Sequence, residues 1–299
     1  QIIGLPSTGL ALWTTAQAAS LTTTQMAALL PVQVGGLSTT QIIQLTPPQW
    51  LALTSAQLHA LTTTQVASLT SAQIKSLSTT QFSGLSPAQI QSLTTTQVAN
   101  LTPLQCQGLT AAQVGALTTL QIGGLSSAQL GSLGTTQIRG LSTTQIRSLS
   151  TTQIKALTQM GGMSATQVAA LTTAQVADLT TTQLRALTAG AAGALSSTQV
   201  QSLSTSQLAA LAATGIALLT TLQLSGLTPE HINALSTSQL PGLTTAQLKS
   251  LNTTQVHALT PTQLAALSTA QVGSLTTQQV VALTTEAVSG LTESQIVAL

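Results

Sequence analysis

The residues best suited to metal binding or proton transfer are three histidines, and their spacing argues against a shared site. His59 and His257 are separated by most of the chain, and His231 stands where most repeats carry a glutamine. A metal ion needs three or four converging ligands, and the sequence pairs none with these imidazoles. We therefore expect two solvated histidines, one altered helix cap, and no bound metal ion or cofactor.

The carboxylates and hydroxyls form no catalytic pattern either. Glycosidase-type acid–base chemistry needs two carboxylates within about 10 Å. The nearest pair in the sequence is Glu286 and Glu293, and both stand where a helix N-terminus would favour them. Serine and threonine are abundant, but no histidine–aspartate support and no glycine-rich phosphate loop accompanies them. We predict that the protein is not an enzyme.

Composition excludes further classes of protein. Charged residues are 3% of the chain and the formal net charge is +2, whereas an average domain has about 25% charged residues. Nucleic-acid binding needs clustered lysine and arginine, so we expect no nucleic-acid partner. Mean hydropathy is +0.40, but serine, threonine and glutamine recur throughout, so we expect no transmembrane segment.

One eight-residue repeat organises nearly the whole chain. It begins at leucine, as in Leu61-Thr-Thr-Thr-Gln65-Val66-Ala-Ser, and 36 such octads run through residues 5–156 and 163–298. Position 1 is usually leucine, position 2 serine or threonine, position 5 glutamine, position 6 isoleucine, valine or leucine, and position 8 small. The only cysteine, Cys106, occupies position 6, which favours a buried thiol that acts as a small hydrophobic side chain.

Positions 2 and 5 have the spacing of a helix capping box. The hydroxyl accepts from the backbone N–H three residues later, and the glutamine side chain reaches back to the N-cap amide. Glutamine fills position 5 in 31 octads, and 28 of these keep serine or threonine at position 2. Representative predicted capping residues are Thr62, Gln65, Thr70, Gln73, Ser142 and Gln145.

Prolines and charges agree with this phase. Six prolines stand at position 3, the first helical residue, where a missing N–H is harmless. All six lysines and arginines stand at position 7, late in the helix, where the helix dipole favours positive charge. Only Asp178, at position 8, departs from the dipole rule. Each octad is therefore predicted to be one helix of about six residues.

Two other folds need to be weighed. A single continuous helix is unfavourable, because a period of eight rotates the apolar stripe by roughly 80° per repeat. A β-solenoid suits threonine, valine and isoleucine. It would, however, place positions 1 and 6 on opposite faces of a strand and put proline inside the ladder.

Isolated octads cannot be stable, since ordering eight residues costs more than burying one leucine and one isoleucine returns. We predict an all-α fold, an α-solenoid of about 36 very short capped helices, one per repeat, that buries positions 1, 6 and 8 against neighbouring helices. Position 7 then faces solvent. Trp13, Trp50 and Phe82 are expected core side chains. Representative core residues are Leu61, Val66, Leu69, Ile74, Leu141 and Ile146.

Two places interrupt the array. Residues 157–162 form a six-residue phase break between a repeat solenoid over 1–156 and another over 163–299, in one continuous repeat domain. Residues 187–194 keep the octad length but lose the glutamine. Each interruption is interpreted either as a hinge or as tolerated repeat slippage, and we favour slippage. Because the chain opens without a leader and closes at the first position of a repeat, we expect a fragment of a longer protein.

The sequence resembles the long octapeptide tracts of large bacterial surface proteins labelled adhesins or haemagglutinin-like. The run Leu141-Ser-Thr-Thr-Gln-Ile-Arg-Ser148 shows their Leu-Ser/Thr-x-x-Gln-Ile/Val pattern, and the likeness covers nearly the whole chain. The resemblance implies an extracellular or cell-surface location and assigns no site residues.

The sparsely charged periodic surface favours association with copies of itself. We therefore predict a structural protein that self-assembles into an extracellular filament, sheath or surface layer. Two alternatives stay open. One is the stalk or binding surface of a giant adhesin, with cell-surface or glycan contacts, and the other is a threonine-rich β-solenoid that binds ice or another surface.

Overall fold

Short helices make up both compact units of the structure. The computed structural model describes residues 6–299, so the first five residues of the predicted repeat domain lie outside the described residues. Residues 6–299 contain 35 α-helices, two 3₁₀ helices and no strand. The first unit comprises the described residues through Leu149 with Ala156–Thr158, and the second comprises Ser150–Lys155 with Gln159–Leu299.

The helices of the first unit are α1 (Ser7–Ala11), α2 (Thr15–Ala19), α3 (Thr23–Ala28), α4 (Pro31–Gly35), α5 (Thr39–Ile43), α6 (Pro47–Leu51), α7 (Ser55–His59), α8 (Thr63–Ser68), α9 (Ser71–Ser76), α10 (Thr79–Ser83), α11 (Pro87–Ser92), α12 (Thr95–Ala99), α13 (Pro103–Gly108), α14 (Ala111–Ala116), α15 (Thr119–Gly123), α16 (Ser127–Gly131), α17 (Thr135–Gly140) and α18 (Thr143–Ser148). Helix α19 (Thr151–Ala156) follows.

The remaining α-helices are α20 (Ala165–Ala169), α21 (Thr173–Ala177), α22 (Thr181–Ala186), α23 (Ala189–Gly193), α24 (Ser197–Gln201), α25 (Thr205–Ala210), α26 (Ala213–Ile216), α27 (Thr221–Ser225), α28 (Pro229–Asn233), α29 (Thr245–Lys249), α30 (Thr253–His257), α31 (Pro261–Ala265), α32 (Thr269–Val272), α33 (Thr277–Ala282), α34 (Thr285–Val288) and α35 (Glu293–Ala298). The 3₁₀ helices span Met160–Gly162 and Leu240–Gly242.

Each octad starts and ends its own helix. In α8, Thr62 precedes the helix in extended conformation (φ −71°, ψ 158°), and Leu69 ends it in the same region (φ −60°, ψ 146°). The N–H of Leu69 donates to the carbonyl of Val66 at 3.2 Å, which closes the last turn. Extended backbone every eight residues interrupts any continuous helix, and the predicted all-α repeat fold is confirmed.

The β-solenoid alternative is wrong, because the described residues 6–299 contain no strand. The physical reason is local. Pro87 and Pro103, for example, occupy the first residue of α11 and α13, where the fixed φ of proline suits a helix. In a strand the same residues would remove ladder hydrogen bonds.

One octad departs from α geometry. Residues 235–242 end in the 3₁₀ helix Leu240–Gly242. Pro241 stands at position 7, where every other octad has a backbone N–H that can donate within the helix. Proline lacks that donor, so the α-helix cannot complete its last turn there.

Positions 1 and 6 form the core of each unit. Val66, Ile74 and Ile146 are completely buried, and Leu61, Leu69 and Leu141 are at most 4% exposed. Trp50 and Phe82 are also fully buried. Trp13 is only half-buried, in contrast to its prediction as a core residue.

Helices three repeats apart pack on one another, as α11 does with α14 and α14 with α17. Position 8 lies at this contact, but it is half-buried where burial was expected, as at Ala60 and Gly140. A side chain at Gly140 would collide with the backbone of Ala111 in α14. No described residue has positive φ, so Gly140 serves close approach of two backbones.

The six-residue segment 157–162 is two residues shorter than an octad but still contributes side chains to the core. Leu157 and Met160 are both completely buried, so the segment still supplies two apolar anchors and replaces an α-helix with the 3₁₀ helix Met160–Gly162. These contacts are compatible with the slippage interpretation that we favoured for this segment.

Candidate functional site: a glutamine clamp between turns

The histidines lie at three separate places, and each contacts a backbone carbonyl. His59 is exposed, and its Nδ1 lies 2.9 Å from the carbonyl oxygen of Gly84. His257 repeats this contact at 3.1 Å with the carbonyl of Ala282. Because a carbonyl only accepts, Nδ1 carries the proton in both. These side chains were expected to be solvated, but each also bonds a helix end 25 residues later.

The acidic residues do not converge on a reactive centre. Glu286 and Glu293 are exposed in the first turns of α34 and α35. Glu230 accepts hydrogen bonds from its own backbone N–H and from the Thr228 hydroxyl. These bonds hold the pKa of its carboxyl below the ordinary value. Among the described residues, no three histidine, cysteine or acidic side chains are grouped closely enough to hold a metal ion.

The predicted capping residues make the expected local bonds. The N–H of Thr62 donates to Oε1 of Gln65 at 2.5 Å, and the N–H of Gln65 donates to Oγ1 of Thr62 at 3.2 Å. Thr70 with Gln73 and Ser142 with Gln145 repeat the pair. This half of the interaction joins residues three apart within one octad.

The other half of the glutamine side chain joins successive turns of the solenoid. In α7, Oε1 of Gln57 accepts from the N–H of Thr54, while Nε2 donates to the carbonyls of Met26 at 2.9 Å and Leu29 at 2.8 Å. These partners precede Gln57 by 31 and 28 residues. We call a position-5 glutamine with both sets of bonds the glutamine clamp.

The clamp recurs with the same register. Gln65 donates to Gly35 and Leu37, Gln73 to Ile42, and Gln145 to Val114, Gly115 and Leu117. The acceptors are carbonyls in the last turn of a helix and the carbonyl of the following leucine. The position-6 carbonyl also accepts from the N–H of that leucine, as in Ile42 with Leu45 and Val114 with Leu117. No buried side-chain nitrogen or oxygen of the described residues lacks a hydrogen-bond partner. In these octads the glutamine amide therefore connects one turn to the turn before it.

Sequence reasoning missed this second role, although one signal pointed to it. A capping box accepts glutamate as readily as glutamine, yet glutamate never stands at position 5 of any octad. An amide can accept from the N-cap N–H and also donate to carbonyls, whereas a carboxylate can only accept. The restriction to glutamine therefore marks a donor requirement that the capping role alone does not explain.

His231 replaces the clamp with an imidazole. Its Nε2 lies 2.7 Å from the carbonyl of Leu203, 28 residues earlier, and its Nδ1 accepts from the N–H of Thr228 at 3.3 Å. The two contacts together require the neutral Nε2–H tautomer. The predicted altered cap thus also contains the connection between turns.

Three octads have glutamine at position 5 but neither serine nor threonine at position 2, and they keep all or part of the clamp. Leu30 and Gly134 have no side-chain acceptor, but their backbone N–H groups still donate to Gln33 and Gln137. Asn252 forms a complete box, since its Oδ1 accepts from the N–H of Gln255 at 2.9 Å.

Asp178, which departs from the dipole rule, has a partner in the neighbouring turn. Its carboxylate lies 2.8 Å from Nζ of Lys155. The hydrogen bond from Lys155, aided by one from Thr151, holds the pKa of Asp178 below its ordinary value. An ion pair between turns therefore accounts for an acid at the C-terminal end of α21.

Cys106 is completely buried at position 6 of α13. Burial raises the pKa of its thiol to about 12. A thiol that stays protonated is neither a nucleophile nor a metal ligand at neutral pH. Its surroundings match those of the aliphatic side chains at the same repeat position.

Comparison with known proteins identifies the repeat. The ALTTAQ repeat family matches residues 50–79, 71–103, 125–159, 232–269, 256–285 and 265–299, which together cover more than half of the chain. No curated protein shows significant similarity to it. Among the described residues, no helix has the length and apolar character needed to cross a membrane.

Proposed function

We propose that this chain, which belongs to the ALTTAQ repeat family, is a non-enzymatic structural protein that assembles with copies of itself into an extracellular filament, sheath or surface layer. The observation that carries the proposal is the glutamine clamp, which uses the same donors and acceptors in octad after octad. Repeated units of this kind provide stability through neighbour contacts and need no single active centre.

The surface supports association between copies. Lys75, Arg185 and Lys249 are exposed at position 7, but the whole chain has only six cations and four anions. Threonine, serine and alanine fill most of the remaining exposed positions. Proteins with little charge to repel their own copies tend to associate. The extracellular location is part of the proposal and is supported by the resemblance to bacterial surface tracts.

A second candidate function is a stalk that presents a binding surface. Two open grooves of about 460 and 430 Å³ adjoin each other on the second unit, since both are lined by Pro229 and Ala258. His257 lines one groove and Glu230 the other. Solvent-open grooves that combine a largely apolar lining with an imidazole or a carboxylate suit contacts with cell-surface glycans, as an adhesin would make.

Electron cryo-microscopy and light scattering at graded protein concentrations test the assembly. We expect regular filaments or sheets whose internal repeat matches the solenoid turn. A variant with Gln91→Lys, Gln107→Lys and Gln201→Lys, all exposed position-7 residues, should assemble less at low salt and regain assembly when salt screens the added charge.

Circular dichroism provides the control, because the lysine variant should keep the helical content of the parent chain. Dispersed single particles at every concentration would contradict assembly and leave the adhesin stalk as the better proposal. Binding of a glycan array by those dispersed particles would then support the second function.

A further inference from the structure

Two octads without the glutamine clamp stack on each other in the second unit. Ala191 replaces glutamine in the octad of α23, and Gly215 replaces it in the octad of α26. These octads are three repeats apart, and α23 packs directly on α26. Small residues meet at their contact, since a Cβ added at Gly215 would lie 2.9 Å from the Cβ of Ala192.

Helix α26 has lost its local cap as well. Its N-cap residue is Ala212, which has no side-chain acceptor, and the helix spans only Ala213–Ile216. Helix α23 keeps half a cap, because the N–H of Ala191 donates to Thr188 at 3.3 Å. A missing N-cap hydroxyl alone weakens a helix measurably.

The octads between them are fully clamped. Gln199 donates to Val168, Ala169 and Leu171, and Gln207 donates to Ala177 and Leu179. By the same register, a glutamine at position 215 would reach the carbonyls of Leu184, Arg185 and Leu187. Gly215 has no side chain to offer them.

We propose that α23 and α26 form a weak seam in the second unit, at which neighbouring turns separate before the rest of that unit unfolds. The seam joins segments that are separate in sequence, 187–194 and 211–218, with the clamped octads 195–210 lying between them. The six-residue segment 157–162 is not the weak place in this proposal. Gln183, in α22, still donates to Ile154 and Lys155 across it, 29 and 28 residues back.

Native-state hydrogen exchange tests the seam, because local opening is read directly from amide protection. We expect amides of 187–194 and 211–218 to exchange about tenfold faster than those of 195–210. Two fast-exchanging segments would then flank one protected segment. Equal rates across 187–218 would overturn the proposal. Fast exchange confined to 157–162 would also overturn it, since opening would then begin at the phase break.

Repairing one helix tests whether the two segments open together. Ala212→Ser restores an N-cap acceptor to α26, and it should slow exchange in both 187–194 and 211–218. Slower exchange in 211–218 alone would show two independent weak helices and contradict a shared seam. Thr96→Ser, at an exposed position of α12, is the matched control and should change neither segment.

The same substitutions can be introduced into two clamped octads of the first unit, to test whether they are sufficient to create a weak seam. Gln97→Ala, Thr118→Ala and Gln121→Gly reproduce the three losses in the octads of α12 and α15, which pack on each other in the same way. Exchange should rise in 93–100 and 117–124 but not in the octads between them. Circular dichroism checks that the variant is folded, and unchanged exchange in a folded variant would refute the mechanism.

Discussion

At the scale of single residues, the amide of the position-5 glutamine joins a helix cap to the preceding turn. A buried polar group without a partner costs more than the net gain from a satisfied one. Each glutamine is therefore stabilising only while both ends of its amide are bonded. Gln97 is a representative case. Its Oε1 accepts from the N–H of Thr94 at 2.6 Å, and its Nε2 donates to the carbonyl of Leu69 at 2.5 Å.

Gln97→Ala should lower the free energy of unfolding by about 2–3 kcal/mol, because it leaves the Thr94 N–H and the Leu69 carbonyl without partners. Gln97→Glu should cost more, since a carboxylate would face backbone carbonyls. Thr96→Ala, at an exposed neighbour, should stay within about 0.5 kcal/mol. Urea unfolding followed by circular dichroism measures all three, and equal losses for Gln97→Ala and Thr96→Ala would contradict the clamp.

His231→Gln should stabilise the protein by about 0.5–1 kcal/mol, because glutamine makes the cap bond at shorter range than the 3.3 Å of the imidazole. The same urea midpoints serve as the measurement. His59→Gln at position 7 is the control, with little expected change. A lower midpoint for His231→Gln would mean that the imidazole is the better clamp at this site.

At the scale of one element, an octad specifies both ends of its helix. Extended backbone at positions 1 and 2 stops the preceding helix and starts the next, so helices stay at four to six residues. Isolated helices of this length are unstable in water. Their stability must come from the helices three repeats away.

Pro241→Ala should convert the 3₁₀ segment of residues 235–242 into an α-helix and raise stability by about 1–3 kcal/mol, because the new N–H restores a helical donor. Amide protection at residue 241 and the urea midpoint report the change. Pro261→Ala, at the first residue of α31, should bring no gain. An unstabilised Pro241→Ala variant would show that another contact holds the 3₁₀ geometry.

The Lys155–Asp178 pair makes a pH-dependent contact between elements. A carboxyl whose pKa is lower folded than unfolded adds stability above its unfolded pKa of about 3.9. That contribution is lost as pH falls through the folded value. Carbon-13 NMR titration should find the Asp178 midpoint below 3.8 and a higher midpoint in Lys155→Met. If the Asp178 midpoint did not change in Lys155→Met, the lowered pKa would be assigned to the Thr151 hydrogen bond. Lys75→Met is the control and should leave the Asp178 midpoint unchanged.

At the scale of the whole molecule, contacts between turns are almost entirely uncharged. The described residues contain one ion pair, Lys155–Asp178, and the amide clamps carry no formal charge. Electrostatics therefore contributes little to cohesion.

Unfolding midpoints should change little between about 0.05 and 0.5 M sodium chloride, because screening acts only on charged groups. The lysine variant described above should respond more strongly, since its added charges repel one another at low salt. A large salt dependence of the parent chain would point to an electrostatic contribution that its few charges do not explain.

The sequence by itself determined the octad, its caps and its two buried positions. Those features depend on hydrogen bonds between residues three positions apart, as between Thr62 and Gln65. They also depend on apolar residues that recur at the same positions of each repeat. Such local interactions are complete within one repeat, so one repeat suffices to predict them. Repetition then established their phase along the chain.

Only the tertiary structure decided which repeats meet. Contacts between turns reach 25 residues forward from His59 and 31 residues back from Gln57, so they span between three and four octads. That span follows from the rotation between one helix and the next, which has to add up to a full turn over these repeats. No single octad encodes it. The inter-turn half of the clamp, the partner of Asp178 and the stacking of α23 on α26 all depend on it, and the sequence alone left them undetermined.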